Sequence, residues 1–147
     1  MSLMKLAHIL VSVGLLLLMA IGCAPPPTPT PLPPTPVLAA SAQDIAGTWQ
    51  GIGTDGLYMR FNADGTLHVA KSLEALNTKP DAINTFRFEG TRLIFTEVEA
   101  SGLPSCGAAP AIYEVQLQTN GNIKFVKIQD TCSKRATSTS RVHKPVR

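Results

Sequence analysis

"LYMRFNADGTLHVAK", residues 57–71, decides the fold. Leu57, Met59 and Phe61 alternate with Tyr58 and Arg60, and Leu67 and Val69 resume the alternation further on. Successive side chains on a strand point to opposite faces, so a period of two gives each run one apolar face. Between the runs, Asp64-Gly65 is a hairpin signal, because glycine accepts the positive φ that such a turn demands. Strands joined by a short turn lie side by side and antiparallel.

The pattern extends in both directions. "GTWQGIG" (47–53) reads as the first strand, with glycines that permit a sharp bend. "INTFRFE" (83–89) brings Phe86 and Phe88 onto one face, Gly90-Thr91 turns the chain, and "RLIFTEVE" (92–99) runs back. "IYEVQLQ" (112–118) alternates Tyr113, Val115 and Leu117 against Glu114, Gln116 and Gln118. Asn120-Gly121 then leads into "NIKFVKI" (122–128). The tail "ATSTSRVHK" (136–144) is rich in β-branched and hydroxyl residues and is expected to close the sheet. One helical turn is expected at "SLEALN" (72–77), where Ser72 can cap it. About eight strands with short connections form a barrel or a sandwich. Closure removes exposed edges, so the expectation is all-β: a small eight-stranded antiparallel up-and-down barrel over residues 44–147.

The first forty residues differ in kind. Lys5 precedes an apolar stretch from Leu6 to Ile21, the layout of an export signal over residues 1–22. It is shorter than the roughly 20 apolar residues of a spanning helix and ends in the small residues Ala20 and Gly22. Ala20-Ile21-Gly22-Cys23 resembles the lipobox of bacterial lipoproteins, with Ala20 where leucine is usual. The resemblance implies lipidation of Cys23, cleavage after Gly22 and anchoring to the membrane of the bacterial cell envelope. It implies the outer membrane where the cell has one, since Ala24 is not the aspartate of inner-membrane retention. From Pro25 to Pro36, eight of twelve residues are proline, which forbids helix and sheet. Twelve residues of polyproline II reach about 37 Å. Residues 23–43 therefore read as a lipidated cysteine and an extended Pro/Thr-rich linker, softening to Ala and Ser from Val37. Once Cys23 is lipidated, Cys106 and Cys132 remain as a pair, and an exported chain oxidises such pairs. A metal site is the rival reading, with no histidine beside either cysteine to support it.

Within the domain, "IAGTW" (45–49) and "FNADGTL" (61–67) resemble the opening of lipocalin-like domains of the calycin group. Gly47 and Trp49 match that group's Gly-x-Trp. The resemblance implies an arginine packed over the tryptophan at one barrel end. "DTCSKR" (130–135) supplies Arg135 for that pair, with Arg141 as the other candidate. The group's middle motif, built on Thr-Asp-Tyr, is absent, and about 104 residues is small for a lipocalin.

Inward positions either line a pocket for an apolar ligand or fill a packed core. The candidates are Met59, Phe61, Val69, Phe86, Phe88, Tyr113 and Val115. Tyr113 stands out, since a buried phenol needs a hydrogen-bond partner. His68 and His143 lie far apart, Ser101 and Ser105 lack a nucleophile elbow, and no metal, cofactor or catalytic set is visible. An enzyme is not expected. Residues 124–147 carry seven basic side chains against Asp130 alone, while 44–123 carry nine acids against five bases. Such a face suits anionic lipid or envelope polymers, or is simply solvated. Nucleic acid is excluded by compartment and by the lack of aromatics among those bases.

The leading expectation is a monomeric, tethered barrel that binds a small apolar or amphipathic ligand. The alternatives are an inhibitor or protein-binding module acting through "EASGLPSCGAAPA" (99–111), or a structural envelope component. The inhibitor reading lacks the Ser-Gly-x-x-Tyr loop of lysozyme-inhibitor lipoproteins, having Ser105 where tyrosine belongs.

Overall fold

The structure, a computed structural model, describes residues 34–53 and 56–147. The signal segment 1–22, Cys23 and the proline tract up to residue 33 lie outside the described residues. The folded unit runs from Thr35 to Arg147.

Its strands are β1 (Val37–Leu38), β2 (Gly47–Gly51), β3 (Tyr58–Phe61), β4 (Thr66–Ala70), β5 (Ala82–Glu89), β6 (Arg92–Ala100), β7 (Ala111–Leu117), β8 (Ile123–Gln129) and β9 (Val142–Pro145). Three short helices accompany them: α1 (Ala42–Ile45), α2 (Leu73–Thr78) and α3 (Ser133–Thr139). From β2 to β8 each strand pairs antiparallel with the next in sequence, and β9 fits between β8 and β2. That makes a closed eight-stranded antiparallel barrel, compatible with a lipocalin-like fold.

The opening stretch behaves as its alternation predicts. Trp49, Met59 and Val69 share one register level across β2, β3 and β4, all three buried. Gly65 holds the turn at φ +83°, and the Asp64 carboxylate accepts from the Thr66 amide at 2.9 Å. Ser72 caps α2 by accepting from the Ala75 amide at 3.1 Å. The interior carries a continuous aromatic contact chain: Phe86 on Phe61 at 5.1 Å, Phe61 on Phe125 at 6.1 Å, Phe125 on Tyr113 at 6.2 Å and Tyr113 on Phe95 at 5.4 Å.

Two segments differ from expectation. Residues 37–43, assigned by composition to the linker, belong to the folded unit. Val37 and Leu38 pair with Leu117 and Gln116, the Ala39 amide donates to the Val115 carbonyl at 2.9 Å, and Ala39 is fully buried. The Asp44 carboxylate accepts from the Ala40 and Ser41 amides, both at 2.9 Å, and those bonds hold its pKa below the usual range. The tail closes the sheet as expected, through β9, but the chain leading into it is helical from Ser133 to Thr139. Its hydroxyls do not oppose the helix, because Thr137 and Ser138 donate back to the Ser133 and Lys134 carbonyls. Ala136 and Thr139, three apart, are the buried residues of α3.

Candidate functional site

One end of the barrel carries a cleft of about 710 Å³. Its apolar lining comes from Leu57, Met59, Leu67, Val69, Ala82 and Phe95 on or beside β3 to β6. One wall is the β6–β7 loop, through Leu103, Pro104 and Cys106; another is α3, from Ser133 to Thr139, with Arg141 just beyond it. Polar groups at the edge are Lys71, Asn84, Glu97, Lys134 and Arg135.

The loop wall is fixed by chemistry at both ends. At its start, the Ser101 and Gly102 amides donate to the Asp81 carbonyl at 2.9 and 3.0 Å, while Lys71 Nζ reaches the Gly102 carbonyl at 2.5 Å. Gly102 is required there, since a Cβ would fall 1.8 Å from the Asp81 carboxylate. Further on, the Cys106–Cys132 disulfide joins the loop to the N-cap of α3, so one bond ties both walls together. Glu97 completes the brace. It accepts from the Ser105 hydroxyl, from the Cys106 amide at 3.0 Å and from the Gly107 amide at 3.3 Å. Burial alone would raise its pKa, but these donors and the Arg135 charge hold it below the usual carboxylate range.

Arg135 lines the cleft with its side chain only 9% exposed. Nε and Nη2 donate to the two Asp130 oxygens, each at 2.9 Å, and Nη2 also reaches the Ala109 carbonyl at 3.1 Å. Asp130, whose side chain is fully buried, accepts too from the Cys132 amide at 2.9 Å and the Tyr113 hydroxyl at 2.6 Å. Burial works to raise the Asp130 pKa, yet Arg135, Tyr113 and the Cys132 amide together keep it lowered. The Tyr113 pKa is raised strongly by burial and by the adjacent Asp130 charge, so the phenol stays a neutral donor. Nη1 of Arg135 is buried without a hydrogen-bond partner. An unmet buried donor costs about 1–3 kcal/mol.

Of the residues proposed from sequence for ligand contact, Met59 and Val69 line the cleft. Phe61, Phe86, Tyr113 and Val115 belong to the packed core, and Phe88 is half-buried against it. Met59 and Val69 belong to the same core cluster, at the point where it borders the cleft. Arg135, one of the two arginines expected over Trp49, sits 5.6 Å from the Phe95 ring centroid, and the Trp49 indole donates to the Ile45 carbonyl at 2.8 Å. Phe95 and Glu97 were missed, although they continue the inward face of β6 set by Leu93. The disulfide fits the expected pairing and is consistent with an extracytoplasmic location.

Among the described residues, no group of three or more His, Cys, Asp or Glu side chains is placed to hold a metal ion. Nor is any described helix long and apolar enough to cross a membrane. Fold and cleft together define a small antiparallel barrel with a concave, largely apolar mouth. No protein-family model, curated protein or solved structure matches the chain.

Proposed function

We propose that the chain is a cell-envelope lipoprotein whose tethered barrel holds a small apolar or amphipathic ligand in the mouth cleft. The observation that carries this reading is the cleft itself: about 710 Å³, apolar on its barrel side and walled by a braced loop. Small-molecule sites are concave, mostly apolar and span roughly 300–1,000 Å³, with a few fixed polar groups for orientation. The anchor rests on Ala20-Ile21-Gly22-Cys23 followed by the proline tract, which would hold the barrel clear of the surface it is tied to. The outer-loop inhibitor reading is weaker, because Leu103, Pro104 and Cys106 face the cleft and Ser105 is engaged by Glu97.

The test is titration of the full chain with the uncharged apolar dye N-phenyl-1-naphthylamine. Saturable, one-to-one fluorescence enhancement is expected, lost in a Val69→Trp variant that fills the cleft while keeping its thermal transition. No enhancement, or enhancement indifferent to Val69→Trp, sinks the carrier reading. The anchor is checked by fractionation: Cys23→Ser should move the chain out of the lipid-acylated pool, and an acylated Cys23→Ser chain would contradict it.

A further inference from the structure

Three facts converge on one residue of the cleft. Arg135 lines it, its guanidinium is stacked near Phe95, and Nη1 has no hydrogen-bond partner. The other two guanidinium nitrogens are committed, to Asp130 and to the Ala109 carbonyl. Arg135 is thus a lining residue with one uncommitted, buried donor, in a cleft that Phe95, Val69 and Met59 also line.

Charge decides what that donor should receive. Asp130 already matches the Arg135 charge from a fully buried position at 2.9 Å. Glu97, at the same edge of the cleft, lies within the field of the same guanidinium. A ligand carboxylate at Arg135 would have to shed its water beside two carboxylates that already engage this cation, an unfavourable exchange. An uncharged carbonyl oxygen needs only an N–H, and brings no third negative charge. Lys71 and Lys134 are exposed side chains whose pairing with a ligand would be screened by water.

We propose that Arg135 Nη1 is the head-group donor of this cleft and receives the carbonyl oxygen of an uncharged amphipathic ligand, an ester or amide on a medium-length alkyl chain. This rests on the carrier reading above and names the chemistry of its ligand. The alkyl chain lies on Met59, Leu67, Val69, Ala82 and Phe95, and the carbonyl points to Arg135.

The probes are methyl octanoate and octanoate, each competed against N-phenyl-1-naphthylamine on the full chain. Methyl octanoate should bind the tighter of the two. Arg135→Lys keeps a cation opposite Asp130 but removes Nη1, and should weaken methyl octanoate about tenfold more than it weakens the dye. A second measurement needs no variant: the infrared stretch of a ¹³C-labelled ester carbonyl should fall, on binding, below its position in hydrocarbon solvent. Dye binding with octanoate equal to or tighter than the ester overturns the uncharged head group. An unshifted carbonyl stretch, or an Arg135→Lys chain that binds dye and ester as before, overturns the role of Nη1. Failure of the unaltered chain to bind the dye removes the carrier reading itself, and the head-group assignment with it.

Discussion

His143 lies on β9 with its ring edge-on to Phe125 at 5.1 Å and no exposed surface. Nδ1 is 3.1 Å from the Arg141 carbonyl, and Nε2 is buried without a partner. Burial pushes its pKa from 6.5 down to about 4; the Arg141 carbonyl opposes that fall and the Arg141 charge adds to it. The folded chain therefore refuses a proton that the unfolded chain accepts. Stability from this residue is complete above pH 6.5 and is lost as pH falls toward 4, by about 3 kcal/mol. Asp130 and Glu97, with lowered pKa values, lose their contributions in a more acid window, as pH drops below the carboxylate range. Urea midpoints measured from pH 7 to 4 should fall in the native chain and stay nearly flat in His143→Phe. Parallel decline in both would assign the acid loss to other groups. At this scale the sequence was partly legible. Tyr113 needed a partner and has one in Asp130, but the contact of Arg135 on α3 with Phe95 on β6 was not foreseen, because a partner distant in the chain leaves no trace in local spacing.

The strands were legible as elements because one face of each is wet and the other dry, so the period of two survives in the sequence. The segment 133–139 was not. Threonine and serine favour extended chain on average, yet here their hydroxyls bond within the helix and Ala136 and Thr139 supply its buried side. Tertiary packing outweighs that weak preference. The consequence is functional, since α3 forms a wall of the cleft and the loop that faces it is tied to its N-cap by Cys106–Cys132. The disulfide closes a loop with a sequence separation of 26. The chain-entropy model gives it roughly 3.5 kcal/mol at most. In a Cys106→Ala/Cys132→Ala chain, unfolding should come at lower urea by up to that amount. Dye affinity should fall as well, under conditions where the β-sheet circular dichroism is unchanged. Undiminished dye binding in the folded double variant would show that the wall stands without its staple.

Closure is the property of the whole molecule, and β1 shows how it is finished. β8 covers one edge of β7 from Ile112 to Leu117. On the other edge β6 reaches only as far as Glu114, and β1 takes over at Gln116 and Leu117. Without β1, backbone donors and acceptors at the lower end of β7 would face water, and Ala39 would leave a gap in the core. Composition hid this, because a two-residue strand and a small buried alanine look like the Ala/Ser linker that precedes them. Alternation could place eight strands in order, but not the short element that seals their edge. A chain reduced to residues 44–147 loses the β1 pairing, the Ala39–Val115 bond and the Asp44 cap on Ala40 and Ser41. At roughly 1 kcal/mol for each of the first two, it should be about 2 kcal/mol less stable than a chain starting at residue 35. Urea unfolding of the two chains measures the difference. Equal midpoints would return residues 37–43 to the linker; a lower midpoint for the shorter chain places the start of the folded unit nine residues earlier in the chain, at Thr35.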